Sequence, residues 1–254
     1  VETIRVEAIV RRSFYFAALG LLAASGCFSA SYDAEYAKSI DRYRQESEFQ
    51  QLNKEPQKVP GDRLLLRSGT SFITQDNTGN ELWSKPPILK AFSGFSVAYL
   101  SPHDIAGVDS PAVLSVYGLT DNDGSLETIK KTILDPIRQE PQFAGADWAT
   151  TEVKTGDVTR TWSVLTLVGE QPFFKKVAGI EEVKPADGET QVWVLADPDT
   201  RFSAMLVWRV PKEWTKQGPL ATLAPLVART VEFKAPPVEA PPAANPPDAV
   251  PAAP

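Results

Sequence analysis

Across 254 residues there is one cysteine, Cys27, one histidine, His103, and one methionine, Met205. A single thiol excludes a disulfide within the chain and a dithiol redox pair. With one imidazole besides, the sulfur- and nitrogen-rich sites that hold zinc are excluded too. Basic residues are in deficit, 26 Lys and Arg against 32 Asp and Glu. Nucleic-acid binding draws on clustered cations that release counterions, so no nucleic-acid partner is expected. No Gly-rich phosphate loop and no dinucleotide fingerprint occurs, and no cofactor or metal is expected. What remains is ordinary globular composition, 43% hydrophobic and 9% aromatic.

The N-terminus carries the clearest signal. Arg11 and Arg12 precede an uncharged stretch from Phe14 to Ala24, and then come Ser25, Gly26 and Cys27. Eleven residues make about 17 Å of helix, short of the roughly 30 Å hydrocarbon core, so the stretch reads as an export signal over residues 1–26. Val1, Val6 and Val10 are candidate starts at a non-ATG codon, since Met205 is the only methionine. The run Leu22-Ala23-Ala24-Ser25-Gly26-Cys27 resembles the lipobox of bacterial lipoproteins, with Ala24 where Leu is usual. That resemblance implies cleavage before Cys27, a diacylglyceryl thioether on its sulfur and an acylated new N-terminus. Several acyl chains, at about 0.8 kcal/mol per buried methylene, hold a protein on a bilayer. Cys27 is therefore the expected lipidation site, and the membrane a partner through that lipid. Arg11-Arg12-Ser13-Phe14 resembles a twin-arginine core but lacks the Ser or Thr before the pair and the Lys after it, so a plain basic leader is preferred. Phe28 stands where an Asp would resemble an inner-membrane retention signal, which favours the outer membrane with the body in the periplasm.

Behind the anchor, residues 27–59 form the tethered N-terminus. Tyr32, Tyr36, Ile40 and Tyr43 recur at helical spacing, with Arg42 and Glu46, and Arg44 and Glu48, four apart on the wet side. The pattern predicts an amphipathic helix over 32–54, roughly 35 Å long. Three roles remain open for its tyrosines: folding back on the body, contacting a partner, or lying on the membrane surface. The last twenty residues, 235–254, hold eight Pro and seven Ala and predict a disordered, polyproline-biased tail.

Between them, residues 60–234 are large enough for one globular domain. Strands are predicted at 63–67, 95–100, 112–118, 148–154, 158–168, 190–196 and 201–210, and helices at 125–139 and 219–230. Asp197-Pro198-Asp199-Thr200 separates two alternating runs and reads as a hairpin. After it, Phe202, Ala204, Leu206, Trp208 and Val210 form a fully apolar face, while Ser203, Met205, Val207 and Arg209 form a mixed one. This predicts an α+β fold: an antiparallel sheet with helices packed on one side and partial cover on the other. Gly94 to Tyr99, a following strand, Ser125-Leu126-Glu127 opening a helix, several long strands and a closing helix into Thr230-Val231-Glu232-Phe233 are similar in order to PsbP-type domains. That resemblance implies an α/β/α sandwich and a non-enzymatic assembly or binding role. The layout with Tyr43-Arg44-Gln45-Glu46 and Lys85-Pro86-Pro87-Ile88-Leu89 is also similar to lipoproteins of planctomycete-like bacteria.

Catalytic signatures are weak. His103 falls in a loop, Ser101-Pro102-His103-Asp104. The nearest imitation of a hydrolase elbow, Gly94-Phe95-Ser96-Val97-Ala98, ends in Ala rather than Gly and reads better as a strand. Asp121-Asn122-Asp123-Gly124 has the oxygen ligands of a calcium loop but Leu126 where an EF-hand needs Gly, so it reads as a turn before a helix. Trp148, Trp162, Trp193 and Trp208 fall in predicted strands and suit a core, whereas Trp83 and Trp214 fall in predicted loops. Trp83, Trp214, Tyr32, Tyr36 and Tyr43 are therefore the candidate ligand or partner contacts. The expected function is that of a membrane-tethered, non-enzymatic envelope module with a protein partner. The alternatives are a lipoprotein that binds a small molecule or glycan and, behind it, an envelope hydrolase using a carboxylate pair.

Overall fold

The computed structural model describes residues 32–33, 35–40, 43, 46–59, 63–75, 92, 97–101, 104–105, 108–109, 111–155, 158–177, 180–197, 202–215 and 220–234. The leader with Cys27, Trp83, His103, the Gly94–Ser96 stretch and the Pro/Ala tail lie outside them. The chain divides into two units, Val1–Gln51 and Leu52–Pro254. In the first, backbone at 32–33, 35–40, 43 and 46–49 is helical, and Gln50 and Gln51 turn out of it, short of the expected end at residue 54.

The second unit starts ahead of the Pro60 boundary expected from the sequence. Leu52 bridges to Gly69, and both Leu52 and Val59 are buried. A small sheet follows from β1 (Gln57–Lys58), β2 (Leu64–Leu66) and β12 (Glu232–Phe233), in the order β1-β2-β12. The main sheet contains β3 (Ile73–Gln75), β4 (Val97–Ser101), β5 (Asp104–Ile105), β6 (Val108–Asp109), β7 (Ala112–Leu119), β8 (Trp148–Thr155), β9 (Val158–Val177), β10 (Ile180–Ala196) and β11 (Ser203–Pro211). Its order is β3-β4-β7-β11-β10-β9-β6-β5, with β8 also on β9, and every pair is antiparallel.

Helix α1 (Leu126–Ile137) covers one face of this sheet. Ser125 caps it, its Oγ accepting the Thr128 N–H at 3.3 Å, and Glu127 favours the positive helix start. The Asp121–Gly124 segment is the turn the sequence suggests. The Asp123 carboxylate accepts the Thr120 N–H at 3.0 Å, and Gly124 takes a φ of 93° that a side chain would resist. Ile129, Ile133, Leu134 and Ile137 point down onto Tyr117, Leu119, Leu165, Leu167, Val192, Val194, Met205 and Val207. This is the face expected to be only partly covered. The structure corrects that expectation, because all nine residues of β11 are buried.

The opposite face carries Trp162, Trp193 and Trp208 and lies under α3 (Leu220–Arg229), α2 (Lys212–Thr215) and the loop at Phe72. The Phe72 ring meets Trp208 and Trp214 edge-on at 5.7 and 5.9 Å. The end of α3 is tied to the sheet edge by Thr155 Oγ1, which donates to the Arg229 carbonyl at 2.9 Å, and by Arg160, which donates to the Val231 carbonyl. An antiparallel sheet with helices on both faces is an α+β sandwich.

Strand β9 is long because it changes partners. Residues 158–165 pair with β8, 163–177 with β10, and Lys176 and Val177 with β6. Strand β11 meets β10 only from Gly188 onward. Residues 170–175 and 182–187 therefore run as a two-stranded arm, with no third described strand on either edge. The strands expected at 158–168 and 190–196 stop short of the arm, which the structure adds to both.

Candidate functional site

The five candidate contacts fall apart into different settings. Tyr32, Tyr36 and Tyr43 are on helical backbone and exposed, with the Tyr32 and Tyr36 rings stacked at 6.3 Å and 8° between planes. Trp83 lies outside the described residues. Trp214 is not in an exposed loop as the sequence suggested. It sits on α2, buried against Phe72, and its indole N–H donates to Ser101 Oγ at 3.3 Å. A four-residue helix following Pro211 has too few turns to show a period, and the indole is needed to fill the layer above Trp208. The four strand tryptophans behave as core residues. Trp162 and Trp193 meet edge-on at 6.0 Å, and Trp148, half-buried, donates to the Lys130 carbonyl at 3.2 Å.

Beneath α1 a polar row crosses the sheet. Thr190 on β10 stands opposite Arg209 on β11, and Thr190 Oγ1 donates to Gln171 Oε1 at 2.6 Å, while Gln171 Nε2 donates to the Leu167 carbonyl at 3.0 Å. Burial pulls the Arg209 guanidinium down to about 10, with the neighbouring Tyr117 acting against that shift. Burial pushes the Tyr117 phenol up to about 12, opposed by Arg209 and by the Ser115 hydroxyl. Tyr99, on the other face, is pushed up to about 12 by burial alone. Inside the sheet these groups have no water-facing surface for a substrate.

The arm has one closed face and one open face. On the α1 side, Gln171 and Phe173 are buried. Phe173 lies across Gly188, where a Cβ would overlap the ring and come within 2.6 Å of the Val210 carbonyl oxygen. Gly188 faces Gly169, whose φ of 146° suits only glycine, so the arm leaves the sheet at a paired glycine step. Alternation places Val168, Glu170 and Pro172 of β9 with Val183, Pro185 and Asp187 of β10 on the other side, all exposed. Val168 is 71% exposed and Val183 43%. Asp187 stands opposite Glu170 in register, and its carboxylate meets Lys212 Nζ at 3.2 Å. Glu189 follows on the same face, where its carboxylate accepts from Gln191 Nε2 at 2.6 Å. None of these residues was singled out in the sequence. The sequence pattern conceals them, because Gly169, Pro172, Pro185 and Gly188 read as turn composition.

Chemically this surface can bind. Its paired carboxylates stand on an open sheet face, and Asp187 keeps 60% of its side chain in water. Glycosidic acid–base chemistry needs a carboxyl group shielded from solvent to raise its pKa. Among the described residues no group of three or more His, Cys, Asp or Glu could hold a metal ion, and no helix is long and apolar enough to cross a membrane.

No family model matches the sequence, and no curated protein matches it. Solved structures do resemble it distantly. Cyanobacterial PsbP (CyanoP) of Synechocystis has a TM-score of 0.37 at 12% identity, over 71% of this chain and 92% of that one. The Ran-binding protein Mog1p of Saccharomyces cerevisiae has 0.37 at 10% identity, over 72% and 96%. A Bacteroides thetaiotaomicron structure has 0.34 at 15% identity, over 71% and 48%. The chain thus bears a distant structural resemblance to the PsbP-like fold.

Proposed function

We propose that this protein is a lipid-anchored, non-enzymatic module of the bacterial cell envelope that binds or assembles with a protein partner. The observation that carries the reading is apolar surface left in water by a chain that buries both faces of its sheet at the centre. Tyr32, Tyr36, Ile40 and Tyr43 are exposed on one unit, and Ile73, Val158, Val168 and Val183 on the other. Exposed apolar groups gathered on one face of an element mark contact surfaces more often than isolated ones do. The anchor is Cys27, on the strength of its lipobox-like context, with Phe28 favouring the outer membrane and the body in the periplasm. The likenesses to lipoproteins of planctomycete-like bacteria and to PsbP-type domains agree with such a role.

Affinity capture of the tagged, detergent-solubilised protein from its own membranes tests the reading. The same protein partner recovered in repeated captures supports it. A bound small molecule or glycan with no protein partner overturns it in favour of a ligand-binding lipoprotein, whose site would have to include Trp83, since Trp214 is buried.

A further inference from the structure

The open face of the β9–β10 arm has features that identify the kind of partner it fits. Two carboxylates, Glu170 and Asp187, face each other across its strands, with Val168 and Glu189 on one side of them and Pro172 and Pro185, then Val183, on the other. Like charges directly opposite in an antiparallel pair destabilise it. Lys212 offsets one of them from the side. A cationic group arriving from solvent would sit between both.

The edges of the arm are closed to a different use. Pro172 and Pro185 are directly opposite. Without N–H groups they can only form the kind of pair that makes no cross-strand hydrogen bonds, so each removes a donor from an outer edge. Proline on an edge is a standard guard against strand addition. What the arm offers is therefore its face. That face is held from behind by Phe173 over Gly188 and by the Gln171–Thr190 hydrogen bond, so little ordering is left to be done on binding.

We infer that this face is a docking surface for a protein segment carrying Lys or Arg among apolar side chains. The inference rests on the binding-module reading and names its surface and partner chemistry. Charge complementarity selects the occupant, because acidic groups disfavour anionic lipid headgroups and nucleic acid alike.

A photo-cross-linking amino acid at position 168, and separately at Thr150 on β8, tests it in cells that make the full chain, with adducts identified by mass spectrometry. The expected result is a protein adduct from position 168 whose cross-linked peptide is basic. Adding Glu170→Lys should cut its yield roughly tenfold or more, since like-charge contact across an interface costs several kcal/mol. Glu152→Lys, an exposed charge on β8, should leave the yield within about twofold. Val168→Glu, probed from position 183, is a second variant that leaves Glu170 in place and should give the same loss. Thermal melts of each variant confirm folding. A lipid adduct, an acidic or neutral peptide, or a yield indifferent to Glu170→Lys overturns the inference. Adducts from position 150 but none from 168 overturn this surface and leave the module reading standing. Adducts from neither position, together with an empty affinity capture, overturn both.

Discussion

Three buried side chains set how the protein responds to alkali. Between pH 10 and 12 the unfolded chain gives up the protons of Tyr99 and Tyr117, which the folded chain holds to about 12. This favours unfolding as pH rises. Arg209 works in the opposite sense, because its folded value of about 10 lies below its ordinary one, so the unfolded state binds that proton more tightly. Two losses against one gain leave a net of about one proton. The unfolding equilibrium should shift roughly tenfold per pH unit in this window. Urea denaturation from pH 9.5 to 11.5 should show the decline, and Tyr99→Phe, leaving one loss against one gain, should nearly flatten it. At the arm, Glu170→Gln removes half of a like-charge pair and should raise stability by about 0.5 kcal/mol, read as a higher urea midpoint with an unchanged slope. A lower midpoint would mean that Glu170 has an attractive partner.

The arm is the element on which the account turns, and its prolines make a separate prediction. Pro172→Thr with Pro185→Thr restores an N–H donor to each outer edge and should promote self-association by strand pairing, seen as dimers or larger species in sedimentation velocity. A variant that stays as monomeric as the parent would show that the edges are guarded by something else. The same prolines hide the arm in the sequence. Strands such as Ala112–Leu119 and Ser203–Pro211 were legible because apolar residues dominate them and, in the second, alternate in a regular period of two, and Leu126–Ile137 because its isoleucines repeat at helical spacing. Residues 169–188 contain Gly169, Pro172, Pro185 and Gly188, all of which ordinarily signal turns. Here long-range pairing across twenty residues overrides that local signal. The two- and three-residue strands β1, β3, β5, β6 and β12 have too few residues to show alternation. Trp214 was misplaced for the same reason.

At the scale of the whole molecule, in the proposed reading, the sandwich, the tyrosine-bearing helical unit and a lipid on Cys27 divide the work. The sandwich buries both sheet faces and presents one open arm. Tyr32, Tyr36 and Tyr43 stay in water on the other unit. In that reading, the lipid on Cys27 is what would fix where binding takes place. Cys27 is the only thiol in the chain, so a single substitution removes the proposed attachment point. The most direct measurement is therefore the distribution of Cys27→Ala between membrane and soluble fractions of the producing cells. The account predicts that the wild-type protein sediments with membranes while Cys27→Ala moves to the soluble fraction; Cys27→Ala retained on membranes to the same extent as wild type would contradict it.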